Sequence, residues 1–315
     1  MKYSSKTLCK FCNSPTQEKF SELQDWLFGV EGNYAFHECT CCGSLTQFPY
    51  PKIEKIASFY DGYHTHEILP NIAFNRLKLR KKIKILLARL LLQLPSVNKI
   101  IYGVLPSIGR LNLFLDRRLK VSKVLDYGAG SCAQIYHLSA LGVKYPLAVD
   151  FDPVVVNLAK QRGYNIISVA DFQNYDDKFD VIILSHVIEH MYDPVREVSE
   201  ILQRLQPDGK LIIEVPNCSS LMAKILANKW RGLEPPRHIN IPSYDGLKNF
   251  AKILDCKVTR VNAIFVEQFI INNSNSVRFK FLLTSFTPLL QFICYFFPKW
   301  SSVISITIKK IDDEL

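Results

Sequence analysis

The sequence predicts an α/β fold built on a mostly parallel sheet, and three observations support this prediction. Five short apolar segments alternate with helical patterns between residues 123 and 215. The first segment runs directly into a turn that contains Gly128 and Gly130. Two cysteine pairs precede this region and predict a small additional module. Strands that are apolar throughout are buried on both faces, which is typical of parallel sheets joined by crossover helices.

The elements of the predicted sheet follow one another in order along the chain. Strands are predicted at 123–127, 147–150, 165–169, 179–185 and 210–215, and helices at 131–141, 153–162 and 195–205. Two further strands are predicted at 258–267 and 302–309. Before them, Ser243 is predicted to cap a helix that extends to Leu254.

The cysteine pairs have the spacing of a metal site. They are Cys9 with Cys12 and Cys39 with Cys42, separated by twenty-six residues. Each Cys-x-x-Cys pair forms a tight knuckle, and two knuckles complete a closed tetrahedral zinc site that is structural. No secretory signal is expected, so thiols or metal are favoured over a disulfide framework. Two alternatives stay open: His37 as the fourth ligand, and unrelated buried thiols. Cys41 is the cysteine left over.

The net charge of +10 is concentrated in one segment. Residues 70–123 contain thirteen Lys or Arg and one acid, a local charge of +12. Within this segment, residues 72–94 show a basic amphipathic helical pattern that packs on the core or meets an anionic surface. Residues 281–298 are uncharged and largely apolar, but Pro288 interrupts them. We expect an apolar hairpin there, packed internally or dipping into a membrane surface, and not a membrane span.

The glycine turn carries a resemblance to a known family. Asp126-x-Gly128-x-Gly130 after a strand, with Asp150 at the end of the next strand, resembles the class I S-adenosylmethionine-dependent methyltransferases. Cys132 stands where many members have a third glycine. The resemblance implies that Asp126 lies near the methionine amine of the cofactor and that Asp150 binds its ribose hydroxyls. A nicotinamide dehydrogenase is the alternative, because a Gly-x-Gly-x-x-Ala pattern followed by an acid is also a dinucleotide fingerprint.

Residues at the ends of later strands favour the methyltransferase interpretation. Asp171 and Phe172 resemble the family's adenine-binding pair, a carboxylate for the exocyclic amine and an aromatic face for the ring. The segment from Ser185 and His186 to His190 resembles the part of the family that closes over the methionine end of the cofactor. All of them follow predicted strands at their carboxyl ends, where ligands of open α/β sheets bind.

The same segment also matches a metalloprotease pattern. His186-x-x-Glu189-His190 has the spacing of an inverted zinc-hydrolase site, which needs both histidines on one continuous helix. His186 directly follows a strand, and Pro194 restarts the chain soon afterwards, so the sequence disfavours this interpretation. His190 is expected to be a structural residue or one that faces the substrate.

The order of motifs resembles bacterial sugar and surface-glycan methyltransferases, among them deoxysugar C-methyltransferases with an N-terminal zinc module. The shared features are the cysteine pairs, Pro49-x-Pro51 and Tyr60-x-x-Tyr63 before the methyltransferase core. The resemblance implies a Rossmann-like seven-stranded sheet whose last two strands are antiparallel. It also implies that His238, just before the last helix, faces the substrate as the general base; His190 is the second catalytic candidate.

The predicted organisation is a zinc-ribbon-like module (1–51), a basic helical insertion (52–120) and a methyltransferase domain (121–315) with an apolar insertion at 276–299. The expected cofactors are S-adenosylmethionine and structural Zn²⁺, and the expected substrate is a nucleotide-linked or lipid-linked sugar. The expected location is the cytoplasm, with peripheral association at the inner face of the cytoplasmic membrane as the alternative. The alternatives are a quinone or lipid methyltransferase, a non-catalytic scaffold that binds the cofactor, and a nucleic-acid-binding protein. The basic residues interleave mostly with Leu and Ile and not with stacking aromatics, so no nucleic-acid partner is expected.

Overall fold

We describe the fold from a computed structural model of the chain. The structure describes residues 8–25, 27–60, 67–68, 83, 123–141, 143, 146–264, 286 and 289–311. The predicted amphipathic helix at 72–94 therefore lies outside the described residues, except for Ile83, which is helical and half-exposed. Most of the predicted basic insertion (52–120) and half of the apolar insertion at 276–299 also lie outside the described residues.

Eleven strands occur in the described residues and form two sheets. They are β1 Thr16–Leu23, β2 Tyr34–Cys39, β3 Leu45–Gln47, β4 Val124–Tyr127, β5 Pro146–Asp150, β6 Ile166–Ser168, β7 Phe179–Ser185, β8 Leu205–Pro216, β9 Asn240–Ile241, β10 Cys256–Ile264 and β11 Val303–Lys310. One sheet has four strands in the order β1-β2-β3-β9, and the other has seven in the order β10-β11-β8-β7-β4-β5-β6.

The seven-stranded sheet confirms the predicted fold class. Strand β4 pairs in parallel with both β5 and β7, and β5 pairs in parallel with β6. The last two strands, β10 and β11, are antiparallel partners, as the family resemblance implied. The sheet is thus mostly parallel with an antiparallel end.

Six α-helices accompany these strands in the described part of the chain, besides the helical residues at 83, 286 and 289–296. They are α1 Ala133–Leu141, α2 Pro153–Gln161, α3 Val169–Gln173, α4 Pro194–Leu202, α5 Leu221–Leu226 and α6 Tyr244–Ile253. Helix α6 begins as predicted, because Ser243 accepts a hydrogen bond from the Gly246 amide. Helix α3 was not predicted, and it begins at Val169, where a strand was expected to end. Ser168 caps α3 and forms a capping box with Asp171, which is why the chain turns there.

The chain forms two compact units. The glycine-loop unit comprises residues 62–185 and 201–213, and the cysteine unit comprises residues 1–61, 186–200 and 214–315. In the glycine-loop unit, the parallel strands supply a fully buried core that includes Leu125, Val149, Ile182 and Ile183. Each such side chain contributes roughly 1.5–3 kcal/mol by its removal from water.

The cysteine unit contains both the N-terminal strands and part of the C-terminal half of the chain. Strand β3 pairs with β9, so that Leu45 lies opposite Ile241 and Thr46 opposite Asn240. Phe36, Leu45, Trp230 and Ile241 share one hydrophobic cluster. Residues of the predicted zinc module therefore share a sheet and a core with residues 230–241.

The described part of the apolar segment 281–298 is mostly helical. Residues 289–296 are helical, and the helix is followed by a 3₁₀ turn at Pro298–Trp300. Phe292, Phe296 and Phe297 each expose about half of their side chain. Among the described residues, no helix has the length and hydrophobicity needed to cross a membrane.

Candidate functional site

The glycine turn after β4 has the backbone geometry that requires glycine. Gly128 and Gly130 have φ values of 79° and 48°, in the left-handed region. The amides of Gly128 and Ala129 both donate to the carbonyl of Val149, at 2.8 and 3.0 Å. Cys132, at the position of the family's third glycine, also has a positive φ, of 58°, and is fully buried. The turn is therefore fixed against β5.

Asp126 presents a buried carboxylate beside this turn. The residue is 1% exposed, and within the described residues its Oδ2 atom has no hydrogen-bond partner. Burial, together with the negative charge of Asp150, raises the pKa of Asp126 to about 7. A buried carboxylate oxygen without a partner is costly unless a ligand supplies a donor or a positive charge. The site thus fits the ammonium group of S-adenosylmethionine.

Asp150 at the end of β5 is held by the backbone. Its Oδ2 accepts from the Gly130 amide at 2.8 Å, and its Oδ1 accepts from the Asp152 amide at 2.9 Å. Burial raises its pKa, although these hydrogen bonds oppose the effect. Each carboxylate oxygen keeps a second lone pair, so the group can also accept hydrogen bonds from a ribose diol.

The predicted adenine pair has local structural roles in α3. The Oδ2 atom of Asp171 accepts from the amide and the hydroxyl of Ser168, at 3.4 and 2.8 Å. Phe172 is buried and packs against Tyr127 and Tyr175, with ring centroids 5.6 and 6.2 Å apart. A contact of Asp171 or Phe172 with adenine stays a prediction.

Ser185 ends β7 in the glycine-loop unit. Its hydroxyl accepts a long hydrogen bond of 3.4 Å from the side-chain amide of Gln134, which lies on α1. Gln134 was not among the predicted site residues, because a single glutamine in a helix carries no sequence signal of its own. The cofactor role predicted for Ser185 stays a prediction.

His186 belongs to the cysteine unit, where it lies between two buried glutamates. Its Nδ1 donates to Glu189 Oε1 at 3.1 Å, and its Nε2 lies 3.7 Å from Glu214 Oε1. The backbone of His186 has a φ of 58°, and its amide donates to the Glu214 carbonyl. Ile188–His190 is a short 3₁₀ turn, so His186 and His190 do not share a continuous helix. The inverted zinc-hydrolase arrangement is therefore excluded.

His190 and His238, the two catalytic candidates, lie beside each other. Their ring centroids are 4.9 Å apart. His190 Nδ1 lies 2.9 Å from the Arg237 carbonyl and 3.0 Å from the Tyr60 hydroxyl, and His238 Nδ1 lies 2.8 Å from the Gly232 carbonyl. Because a carbonyl only accepts, each ring donates from Nδ1 and keeps its lone pair on Nε2. Burial lowers the pKa of His190 to about 4, and the neighbouring imidazole of His238 acts in the same direction.

Backbone contacts connect the segment of His190 to the segment of His238. The Ile239 amide donates to the Glu189 carbonyl at 2.6 Å, and the Asn240 side chain donates to the Met191 carbonyl at 2.8 Å. Glu189 is fully buried among these groups. It was not predicted as a site residue, since its only signal was the zinc-hydrolase pattern that the sequence disfavoured.

Arg237 is fully buried next to His238 and was also missed. Its Nη2 lies 2.9 Å from Asp25 Oδ2, its Nε lies 3.1 Å from Glu234 Oε1, and its Nη1 donates to the Phe59 carbonyl. The guanidinium also stacks on Phe28 at 4.5 Å from the ring centroid. These partners come from three stretches of sequence, so no local pattern could indicate them.

The four predicted cysteine ligands converge on one point. Their sulfur atoms lie within 4.8 Å of one another, with Cys9 and Cys42 at 3.6 Å and Cys12 and Cys39 at 3.3 Å. A tetrahedral site with Zn–S bonds of about 2.3 Å needs sulfur atoms about 3.8 Å apart, so the cluster fits Zn²⁺. Cys41 is exposed, and His37 is not part of the cluster.

The cysteine cluster is also tied to the start of α6. Ser243 donates to the Cys42 carbonyl through its hydroxyl, and its amide donates to Ser44 Oγ at 3.0 Å. A Cβ atom on Gly246 would lie only 2.0 Å from Ser44 Oγ. The second knuckle therefore packs directly against the helix that follows His238.

Comparisons with known proteins agree with this architecture. A family model described as a methyltransferase domain matches residues 98–261, more than half of the chain. A tRNA U34 carboxymethyltransferase of Campylobacter hominis is 29% identical over 114 residues, which cover 33% of this chain and 39% of the relative. A second protein of that name, from Campylobacter lari, is 32% identical over 28% of this chain and 30% of its own length. The matches thus span well under half of these relatives.

Among solved structures, a SAM-dependent methyltransferase from Archaeoglobus fulgidus superposes with a TM-score of 0.46 at 19% identity. The superposition covers 64% of this chain and 92% of the other. The extent of the family match decides the assignment. The chain belongs to the methyltransferase domain family.

Proposed function

We propose that the protein methylates a sugar that is carried on a nucleotide or a lipid. The observation that carries this proposal is the joining of the cysteine cluster to the segment of His238, through the pairing of β3 with β9 and the contacts of Ser243 with Cys42. In the deoxysugar C-methyltransferases that the sequence resembles, a zinc module precedes the core and a histidine before the last helix cap faces the substrate. His238 has that position here.

In this proposal the protein binds the cofactor, orients the cofactor and the acceptor, and deprotonates the acceptor. When bound, S-adenosylmethionine supplies an electrophilic methyl group on its sulfonium. Asp126 and Asp150 hold the amine and the ribose, and positioning of the two reactants contributes up to ~7–11 kcal/mol. His238 takes the proton of the acceptor at Nε2, because Nδ1 donates to the Gly232 carbonyl. A base in this role adds roughly 10²–10⁴-fold.

The test is transfer of labelled methyl groups to a panel of nucleotide-linked and lipid-linked sugars. We expect incorporation into at least one sugar, with His238→Asn reducing kcat about 10²-fold or more. Asparagine can keep the hydrogen bond to Gly232 through its amide, but it has no Nε2 base. His137→Asn, on α1, is the matched control and should be as active as the wild type. Incorporation into lipid quinones and not into sugars would contradict the sugar proposal and favour a quinone methyltransferase.

A second acceptor class comes from the names of the relatives. Two proteins with partial matches are named tRNA U34 carboxymethyltransferases, and the net charge of +10 suits an anionic polymer. For this candidate we expect a tRNA gel shift that weakens steeply between 50 and 200 mM salt. Labelling of tRNA, and not of sugars, would favour it over the sugar proposal.

We also propose that Zn²⁺ fills the cysteine cluster and that the protein binds anionic membrane surfaces. The exposed side chains of Phe292, Phe296 and Phe297, together with the basic composition of residues 70–123, support the membrane proposal. Co-sedimentation with anionic vesicles should be lost at high salt and in Phe296→Ser/Phe297→Ser. Equal binding to neutral vesicles would contradict it.

A further inference from the structure

Glu189 and His238, which are buried, and His190, which is partly buried, form a cluster that can do more than supply a general base. Each of the three residues offers one ligand atom, and the three atoms lie within 4.8 Å of one another. We propose that this cluster is a second metal site, separate from the four cysteines, that binds a divalent transition cation such as Zn²⁺, Co²⁺ or Fe²⁺. Two imidazoles and one carboxylate are a donor set that suits these ions.

The histidines are oriented as metal ligands usually are. In metal sites, the imidazole nitrogen that does not bind the ion commonly donates to a carbonyl or a carboxylate, which fixes the ring and its tautomer. His190 and His238 both have this arrangement, through Nδ1 and the carbonyls of Arg237 and Gly232. In both rings, Nε2 is then the nitrogen available to a cation.

Glu189 provides the independent reason to expect a ligand. The side chain is fully buried, and within the described residues its Oε2 atom has no hydrogen-bond partner. Its Oε1 atom accepts from His186 Nδ1, the kind of outer contact that orients a carboxylate ligand. A buried carboxylate oxygen without a partner destabilises the fold, and a bound cation offsets that cost.

The geometry needs only a small adjustment to close around an ion. Metal–nitrogen and metal–oxygen bonds of about 2.0–2.2 Å place ligand atoms roughly 3.5 Å apart, so a closure of about 1 Å suffices. The main-chain hydrogen bond from Ile239 to Glu189 and the side-chain hydrogen bond from Asn240 to Met191 already join the two segments that carry the three residues. Three protein ligands leave an open position, which distinguishes this site from the closed cysteine cluster.

The chemical consequence concerns an oxygen of the acceptor. A hydroxyl bound at the open position loses its proton more readily, because the cation stabilises the alkoxide. With a cation bound, His238 Nε2 would serve as a ligand and not as a base, so the general-base step proposed above belongs to the metal-free protein. The metal site rests on the residues alone and does not depend on which acceptor is used.

The test is a count of bound metal. The full-length protein is equilibrated with excess Zn²⁺, freed of unbound ion and analysed for zinc. We expect two zinc ions per chain in the wild type, and one in His238→Asn, whose amide keeps the hydrogen bond to Gly232 but cannot replace Nε2. The control His137→Asn should retain two.

Retention of one zinc by His238→Asn shows that the cysteine unit of the variant is folded. If that variant holds none, the isosteric Glu189→Gln provides the same count. Cobalt supplies a measurement that needs no variant: Co²⁺ added to protein with a filled cysteine cluster should bind at one equivalent. Its spectrum should show weak visible bands without intense thiolate charge-transfer absorption in the near ultraviolet. One zinc per wild-type chain, or no cobalt binding, would overturn the proposal.

Discussion

The two units of the protein build their sites in different ways. In the glycine-loop unit, the site residues Asp126, Gly128 and Gly130 are almost consecutive, and Asp150 ends the next strand. In the cysteine unit, the cluster around His238 is assembled from Tyr60, residues 189–190 and residues 232–238. The first site follows from a local motif, whereas the second exists only once distant segments have folded together. Substitutions in the cysteine unit should therefore affect the stability of the whole unit. Substitutions in the glycine turn should affect only the affinity for the cofactor.

The cysteine pairs should show the largest effect. Structural Zn²⁺ contributes about 10–16 kcal/mol in small zinc modules, so Cys9→Ser/Cys12→Ser should lose its metal and most of the stability of the cysteine unit. Because Ser243 and α6 pack on Cys42 and Ser44, the loss should extend to the segment of His238 and abolish methyl transfer. Metal analysis and hydrogen exchange measure both effects. Affinity for S-adenosylmethionine should persist.

Cys41→Ser is the control for this experiment. The residue is exposed and outside the cluster, so the variant should match the wild type in metal content. Unchanged metal content in the double variant would show that the four cysteines are not a metal site.

The buried guanidinium of Arg237 should give the next largest effect. Arg237→Met leaves the carboxylates of Asp25 and Glu234 buried without their cation, which typically costs 3–5 kcal/mol. Arg196→Met removes an exposed arginine on α4 and should change stability by less than about 0.5 kcal/mol. Urea unfolding monitored in the cysteine unit measures the difference. Equal stability of the two variants would mean that the Arg237 network is not required.

A substitution at Asp150 in the glycine-loop unit should have a smaller and more local effect. Asp150→Ala removes the acceptor of the Gly130 amide and the predicted ribose ligand. Hydrogen bonds to a charged group contribute about 1.5–3 kcal/mol, so affinity for S-adenosylmethionine should fall roughly 10- to 100-fold. The exposed Asp208→Ala is the control, and calorimetry compares the two. An unchanged affinity in Asp150→Ala would remove this residue from the site.

Asp126 predicts a pH dependence of cofactor binding. Its pKa is raised to about 7 in the free protein, and a bound ammonium group favours the ionised carboxylate. Cofactor affinity should therefore be greatest above pH 7 and should fall by up to about tenfold per pH unit below it, as protons compete. Binding at pH 6.5 should release protons to the buffer.

In Asp126→Asn, which cannot ionise, both the pH dependence and the proton release should be greatly reduced. Calorimetry in buffers of different ionisation enthalpy measures the release. If wild type and variant have the same pH profile, the carboxylate does not meet the cationic end of the cofactor.

The accuracy of prediction from sequence follows the same division between the units. The parallel strands were predicted because their apolar runs are continuous, and the cysteine cluster because ligand spacing is a strong local signal. Helix α3 was not predicted. Its sequence signal is the capping box of Ser168 and Asp171, but Ser168 was interpreted as part of a strand and Asp171 as part of a ligand site. The pairing of β3 with β9 joins residues almost two hundred positions apart, and two-residue strands have no sequence pattern.

The positions of buried polar groups could not be predicted for a similar reason. Arg237 and Glu189 are charged residues in a loop and a short turn, where solvent exposure is the ordinary expectation. Their burial depends on partners, Asp25 for one and His186 for the other, that only the tertiary structure provides.

The central claim is that the turn at Gly128 and Gly130 binds S-adenosylmethionine through acids and not a nicotinamide dinucleotide. Its most direct test is calorimetric titration of the full-length protein with S-adenosylmethionine, with its demethylated product and with NADH. We predict stoichiometric binding of the first two, weakened in Asp150→Ala and pH-dependent through Asp126, and no heat from NADH. Binding of NADH, with no response to S-adenosylmethionine, would contradict the account.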